Sequence, residues 1–263
     1  MKIRNALQED APVPPLTPQI LPAKAACHDH TLNLTRVVRS RVASQLTGGL
    51  RFEMNVDGHE PAHRRYSFYE WLIEDSKSNI AYWPKSTPSG GAEVVGRALW
   101  NDSQVWRVRF RALRNLDSDY TPAEKVTFQR VPVPVEGLET TPTEPYHEVL
   151  TLLGRKVRLD DVQSEGTSAV SFRVTISPRM EKQVLVMLHA ADAQGNGGLP
   201  VSDHAATHRE PLELVGFVDN HPDNGLIYKG RVPRPLPGNH LTVTFGADEG
   251  VPLEFTFRPE FEP

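Results

Sequence analysis

The chain has 263 residues, 38% of them hydrophobic, with 23 prolines, 18 glycines, one cysteine and a formal net charge of −4. That length allows two ordinary domains. A single cysteine excludes an internal disulfide and a cysteine-based zinc cluster, and without a run of 18 apolar residues no transmembrane helix is expected.

Charge is spread unevenly. Residues 31–136 carry 15 Lys+Arg against 12 Asp+Glu, and residues 137–263 carry 11 against 18. Neither part is basic enough to suggest nucleic acid, but the two differ in the partners they would attract. The frequent prolines and glycines break long helices and favour short strands joined by turns.

In chain order, residues 1–29 open on "MKIRNALQEDAPVPPLTPQILPAK", which lacks the apolar stretch of a secretory signal and reads as a Pro-rich extended leader. Next comes "CHDH", Cys27 to His30, just ahead of a strand beginning near Thr31. Consecutive residues entering a strand point to opposite faces, so these four do not converge on one ion. A polar lead-in with an exposed thiol is expected.

"TLNLTRVV" (Thr31–Val38) and "GGLRFEMNV" (Gly48–Val56) follow, the second alternating apolar and polar with period 2. "YEWLIEDSKSNIAYWP" (Tyr69–Pro84) and "EVVGRAL" (Glu93–Leu99) come next. In "WRVRFRALR" (Trp106–Arg114), alternation puts Val108 and Phe110 on a core face, and Arg107, Arg109 and Arg111 on the opposite, solvent side beside Trp106. "EKVTFQRVPV" (Glu124–Val133) reads as the strand that closes this half. A linker of Pro, Thr and Glu occupies 137–145.

The second half repeats this order. "RKVRLDDV" (Arg155–Val162) precedes "TSAVSFRVTI" (Thr167–Ile176), whose Val170, Phe172, Val174 and Ile176 align with Leu50, Phe52, Met54 and Val56. "VLVMLHAADAQGNGGLP" (Val184–Pro200), "ELVGFVD" (Glu213–Asp219) and a closing "PLEFTFRPEF" (Pro252–Phe261) complete the match. Five elements in the same order predict a duplication. The expected fold is all-β: two tandem antiparallel β-sandwiches, 30–136 and 146–263, with Phe52 and Phe172 in equivalent core positions.

This pattern resembles tandem immunoglobulin-like or fibronectin type III-like modules, as found in bacterial surface and secreted proteins. The resemblance covers about residues 30–263 and implies two sandwiches in an extracytoplasmic setting.

Candidate chemistry is sparse. His204 and His208 in "SDHAATHRE" are four apart, with Asp203 and Glu210 nearby. The zinc-protease helix needs Glu directly after the first His, where this chain has Ala205, so a metal-dependent hydrolase is the least favoured reading. No metal ligand set, cofactor or catalytic residue is assigned. "VDNHPDNG" (Val218–Gly225) reads as a hairpin turn rather than a calcium loop.

The remaining signal is aromatic and cationic. All four tryptophans, Trp71, Trp83, Trp100 and Trp106, lie in the first half, with Tyr82 among them. Exposed Trp and Tyr stack on sugars or anchor protein partners. These five aromatics with Arg107, Arg109 and Arg111 form the candidate binding set. The expectation is a non-enzymatic interaction or structural module that binds through its first domain, with a protein partner or, alternatively, a polysaccharide.

Overall fold

The computed structural model describes residues 16–40, 48–76, 80–83, 92–96, 105–132, 148–165, 169–180, 182–192, 213–217, 225–233, 240–258 and 260–261. The chain is all-β, with almost every contact between strands antiparallel. The first strands are β1 (Ala23–Cys27), β2 (His30–Ser40), β3 (Gly48–Val56) and β4 (Glu60–Pro61). One helical turn, Ala62–Arg65, leads into β5 (Tyr66–Asp75) and β6 (Ile80–Trp83), then β7 (Ala92–Gly96) and β8 (Trp106–Arg114). Two short 3-10 turns precede β9 (Lys125–Pro132). The rest are β10 (Val149–Leu152), β11 (Arg155–Glu165), β12 (Ala169–Ser177), β13 (Val184–Asp192), β14 (Glu213–Phe217), β15 (Leu226–Pro233), β16 (His240–Asp248), β17 (Val251–Phe257) and β18 (Glu260–Phe261).

Among the described residues these strands form four sheets. Sheet A runs β1-β2-β3-β4, with β7 also on β3 and β18 parallel to β2; sheet B runs β17-β8-β5-β6. Sheet C runs β13-β16-β9, and sheet D runs β10-β11-β12-β15-β14. Sheets A and B share one apolar core, holding Leu34, Phe52, Trp71, Phe110 and Phe255; sheets C and D share a second, holding Phe128, Leu159, Phe172, Val243 and Phe245. Each buried aromatic or aliphatic side chain contributes on the order of 1.5–3 kcal/mol, so neither core is marginal. Phe52 and Phe172 are both buried, and Phe52 packs edge-on to Phe257 while Phe172 packs on Phe245.

The closing strands do not stay in their own halves. β9, which follows β8 in sequence, pairs along β16 from Lys125↔Gly246 to Pro132↔His240. β17, which follows β16, pairs along β8 from Val251↔Ala112 to Phe257↔Trp106. The expectation that each half closes on its own last strand is therefore corrected: the two halves exchange them. Alternation specifies which face of a strand is apolar, and both β9 and β17 satisfy that requirement in either sheet.

Two further differences concern the ends of elements. β1 lies within the segment expected as leader, and Gln19 ahead of it bonds Thr256 of β17 through its backbone N–H (2.8 Å) and its side-chain oxygen (3.0 Å). Among the aligned segments, β7 pairs directly with β3, but β14 pairs with β15, and it is β15 that pairs with β12.

Candidate functional site

The "CHDH" residues form the turn between β1 and β2, with Cys27 paired opposite His30. His28 takes the left-handed conformation, φ 51°, at the turn and stacks on Tyr66. His30 Nδ1 lies 2.7 Å from Asp57 Oδ2, whose other oxygen accepts the Thr31 N–H at 2.8 Å. That backbone bond, then the His30 contact, hold the Asp57 carboxyl below its ordinary value. The Cys27 thiol is buried, not exposed as expected, and burial pushes its pKa up to about 12. No cluster of three or more His, Cys, Asp or Glu suited to a metal occurs among the described residues. Asp203, His204, His208 and Glu210 lie outside the described residues.

The tryptophans divide. Trp71 and Trp106 are buried core residues of sheets A and B, so neither is presented at the surface as a binding platform. Trp71 stacks on Phe110 with ring centroids 4.5 Å apart, and its indole N–H donates to the Phe68 carbonyl. The cause is a bulge in β5: Tyr69 pairs Arg111 and Leu72 pairs Arg109, leaving two residues of β5 opposite one of β8. Glu70 takes φ 54° there, which resets the alternation so that Tyr66 and Phe68 before the bulge, and Trp71 and Ile73 after it, all reach the core. Tyr82 and Trp83 sit on β6 opposite Leu72 and Trp71, with only their backbone described. Trp100 lies outside the described residues.

The arginine row stands where alternation puts it. Val108 and Phe110 are buried, and Arg107, Arg109 and Arg111 line the outer face of sheet B. The cross-strand register decides how each is neutralised. Arg107 lies opposite Glu74 and donates to it at 2.6 Å. Arg109 lies opposite Glu254 and donates to it at 2.6 Å. Arg111 lies between Tyr69 on β5 and Pro252 on β17, neither of them acidic. Its nearest carboxylate, Glu70, is 3.9 Å away, and its Nε is enclosed without a hydrogen-bond partner. A shallow groove runs here, bordered by Glu70, Leu72, Arg109, Arg111, Pro252 and Glu254.

A second cluster forms where the exchanged strands cross. Asp248, at the end of β16, is buried; its Oδ2 accepts the Arg114 backbone N–H (2.8 Å) and Nε (3.3 Å), and its Oδ1 accepts the Gly250 N–H (3.1 Å). Arg114, ending β8, also donates to Glu124 Oε1 (3.0 Å) just ahead of β9 and to the Asp119 carbonyl (2.8 Å). Its guanidinium lies 4.2 Å over the Tyr120 ring, and the Tyr120 hydroxyl sits 3.0 Å from the Arg114 carbonyl. Beneath this cluster Tyr69 and Leu113 of sheet B pack with Tyr120 and with Val186 and Leu188 of β13. Sequence alternation does not signal this joint, because the residues come from four segments that only the exchange brings together.

Comparison with family models, with curated proteins and with solved structures finds no match to this chain.

Proposed function

We propose that this chain is a non-enzymatic structural and interaction module, built as two tandem immunoglobulin-like sandwiches from a duplicated unit and serving an extracytoplasmic or assembled system. The single observation that carries the reading is the reciprocal exchange of β9 and β17. An exchange of this kind makes each sheet depend on a strand from the other half, and the Arg114–Asp248–Glu124 cluster pins the crossing. Such a joint holds two modules in a fixed relation, which suits a load-bearing or spacing role better than a hinge that must open for turnover.

The duplication is supported by the five-element sequence match and by the corresponding order β5-β8-β17 and β13-β16-β9 in sheets B and C. The β7 and β14 segments stand apart from that correspondence. The polysaccharide alternative draws its support from aromatics, and with Trp71 and Trp106 in the core it rests on Tyr82, Trp83 and Trp100 alone.

Mechanical unfolding tests the structural reading. Pulled by its two ends, the full chain should yield in one event, because neither sheet B nor sheet C can lose its exchanged strand alone. Two separate releases, each of about half the chain, would remove the reading.

A further inference from the structure

We propose that the groove on the outer face of sheet B is a docking site for an acidic side chain of a protein partner, with the Arg111 guanidinium as its anchor. The argument begins with register. Three arginines face outward from one strand, and two meet a carboxylate directly across the sheet at 2.6 Å. The third does not, for two structural reasons. The β5 bulge puts Tyr69 opposite Arg111 and carries Glu70 to 3.9 Å, and on the other side the register places Pro252.

The result is a guanidinium, 28% exposed, with no hydrogen bond among the described residues. A cation left without an acceptor in a partly buried site is costly, and a carboxylate that arrives with matching geometry recovers that cost. The bulge adds an independent sign. Glu70 holds a left-handed backbone inside a strand, a conformation that non-glycine residues adopt at some expense and that concentrates beside functional surfaces.

The charge balance identifies the occupant. Around the groove Arg109 is satisfied by Glu254, and Glu70 and Glu254 rim it with negative charge. One cation is open, so one carboxylate fits, whereas a polyanion such as a sulfated polysaccharide would meet both glutamates. The groove is shallow and open, flanked by Leu72 and Pro252. Small molecules need enclosure on most sides. An extended polypeptide needs only a face, on which the methylenes of a Glu side chain cover Leu72 and Pro252 while its carboxylate meets the planar guanidinium fork. The inference is independent of the strand exchange: a chain that unfolds in two steps would leave it standing, and a chain that binds no carboxylate would leave the joint standing.

The test is retention of the full-length protein on bead-bound pentapeptide libraries with a fixed central residue. Retention should be stronger by about tenfold or more on central Glu than on central Gln. Arg111→Gln should abolish that difference, and Arg111→Lys, which keeps charge but lacks the fork, should restore only part of it. Two variants keep Arg111 in place should its replacement disturb folding. Glu70→Gln removes the distant competing carboxylate and should strengthen retention. Pro252→Glu supplies an in-register carboxylate from within the sheet and should abolish it. Equal retention on the Glu and Gln libraries, no retention on either, preference for heparin beads over the Glu library, or indifference to Pro252→Glu would each overturn the proposal.

Discussion

Asp248 has the most to lose of any single residue at the crossing. Its buried carboxylate accepts from the Arg114 backbone and side chain and from Gly250, so it ties β8, β16 and the turn into β17 together. Asp248→Ala leaves Arg114 part-buried beside only Glu124 and should cost about 3–5 kcal/mol in urea unfolding, the range for breaking a buried ion pair by removing one partner. A loss below about 1 kcal/mol would mean that the cluster is decoration. Glu124 makes the joint sensitive to acid. Burial works to raise its pKa, but hydrogen bonds from Arg114 and from the Thr121 backbone and hydroxyl outweigh this and hold it below the ordinary 4.5. A carboxyl lowered in the folded state contributes stability that is complete above its unfolded value and lost as pH falls through its folded one. The gap in urea midpoint between wild type and Glu124→Gln should therefore be widest at neutral pH and close as pH drops below 4.5. A gap that stays constant down to about pH 3 would contradict the assignment. Gly246 belongs to the same joint. A Cβ there would lie 2.8 Å from Leu188 Cδ1 and from Tyr120 Cε1, so Gly246→Ala should cost about 1–3 kcal/mol by overpacking.

At the level of elements, β9 and β17 carry the test of the exchange. Phe128 of β9 packs on Phe245, and Phe255 of β17 packs on Phe110, so each closing strand fills the other half's core. Phe128→Ala should lower protection from amide exchange in sheets C and D first, and Phe255→Ala in sheets A and B first, each costing about 3–5 kcal/mol. The reverse assignment would show that each half keeps its own strand. Much of the strand content was legible in the sequence, because alternation in "WRVRFRALR" and "GGLRFEMNV" sends Val108, Phe110, Leu50 and Phe52 inward. The β5 bulge was not. Strict alternation from Tyr66 would send Trp71 outward, and nothing in "YEWLIED" marks the extra residue at Glu70 that turns it into the core. The candidate site was half legible for the same reason: the outward arginines follow from period 2, but which of them lacks a carboxylate depends on register.

Across the whole molecule, the central claim is that strand exchange makes the two cores one stability unit. Alternation could not reveal this, since it reports faces and not partners, and both closing strands present the same pattern of apolar residues to either sheet. The chain supplies its own reporter. All four tryptophans lie in the first half, and Trp71 and Trp106 are buried in the core between sheets A and B. Phe172 is buried in the other core, between sheets C and D. The most direct measurement is urea unfolding of Phe172→Ala followed by tryptophan fluorescence, beside far-ultraviolet circular dichroism on the same samples. A shared unit requires the fluorescence midpoint to fall by the equivalent of about 3–5 kcal/mol, although no tryptophan is near the substitution, and requires both signals to change together. A fluorescence transition that stays at its wild-type midpoint while the dichroism splits into two steps would contradict the account.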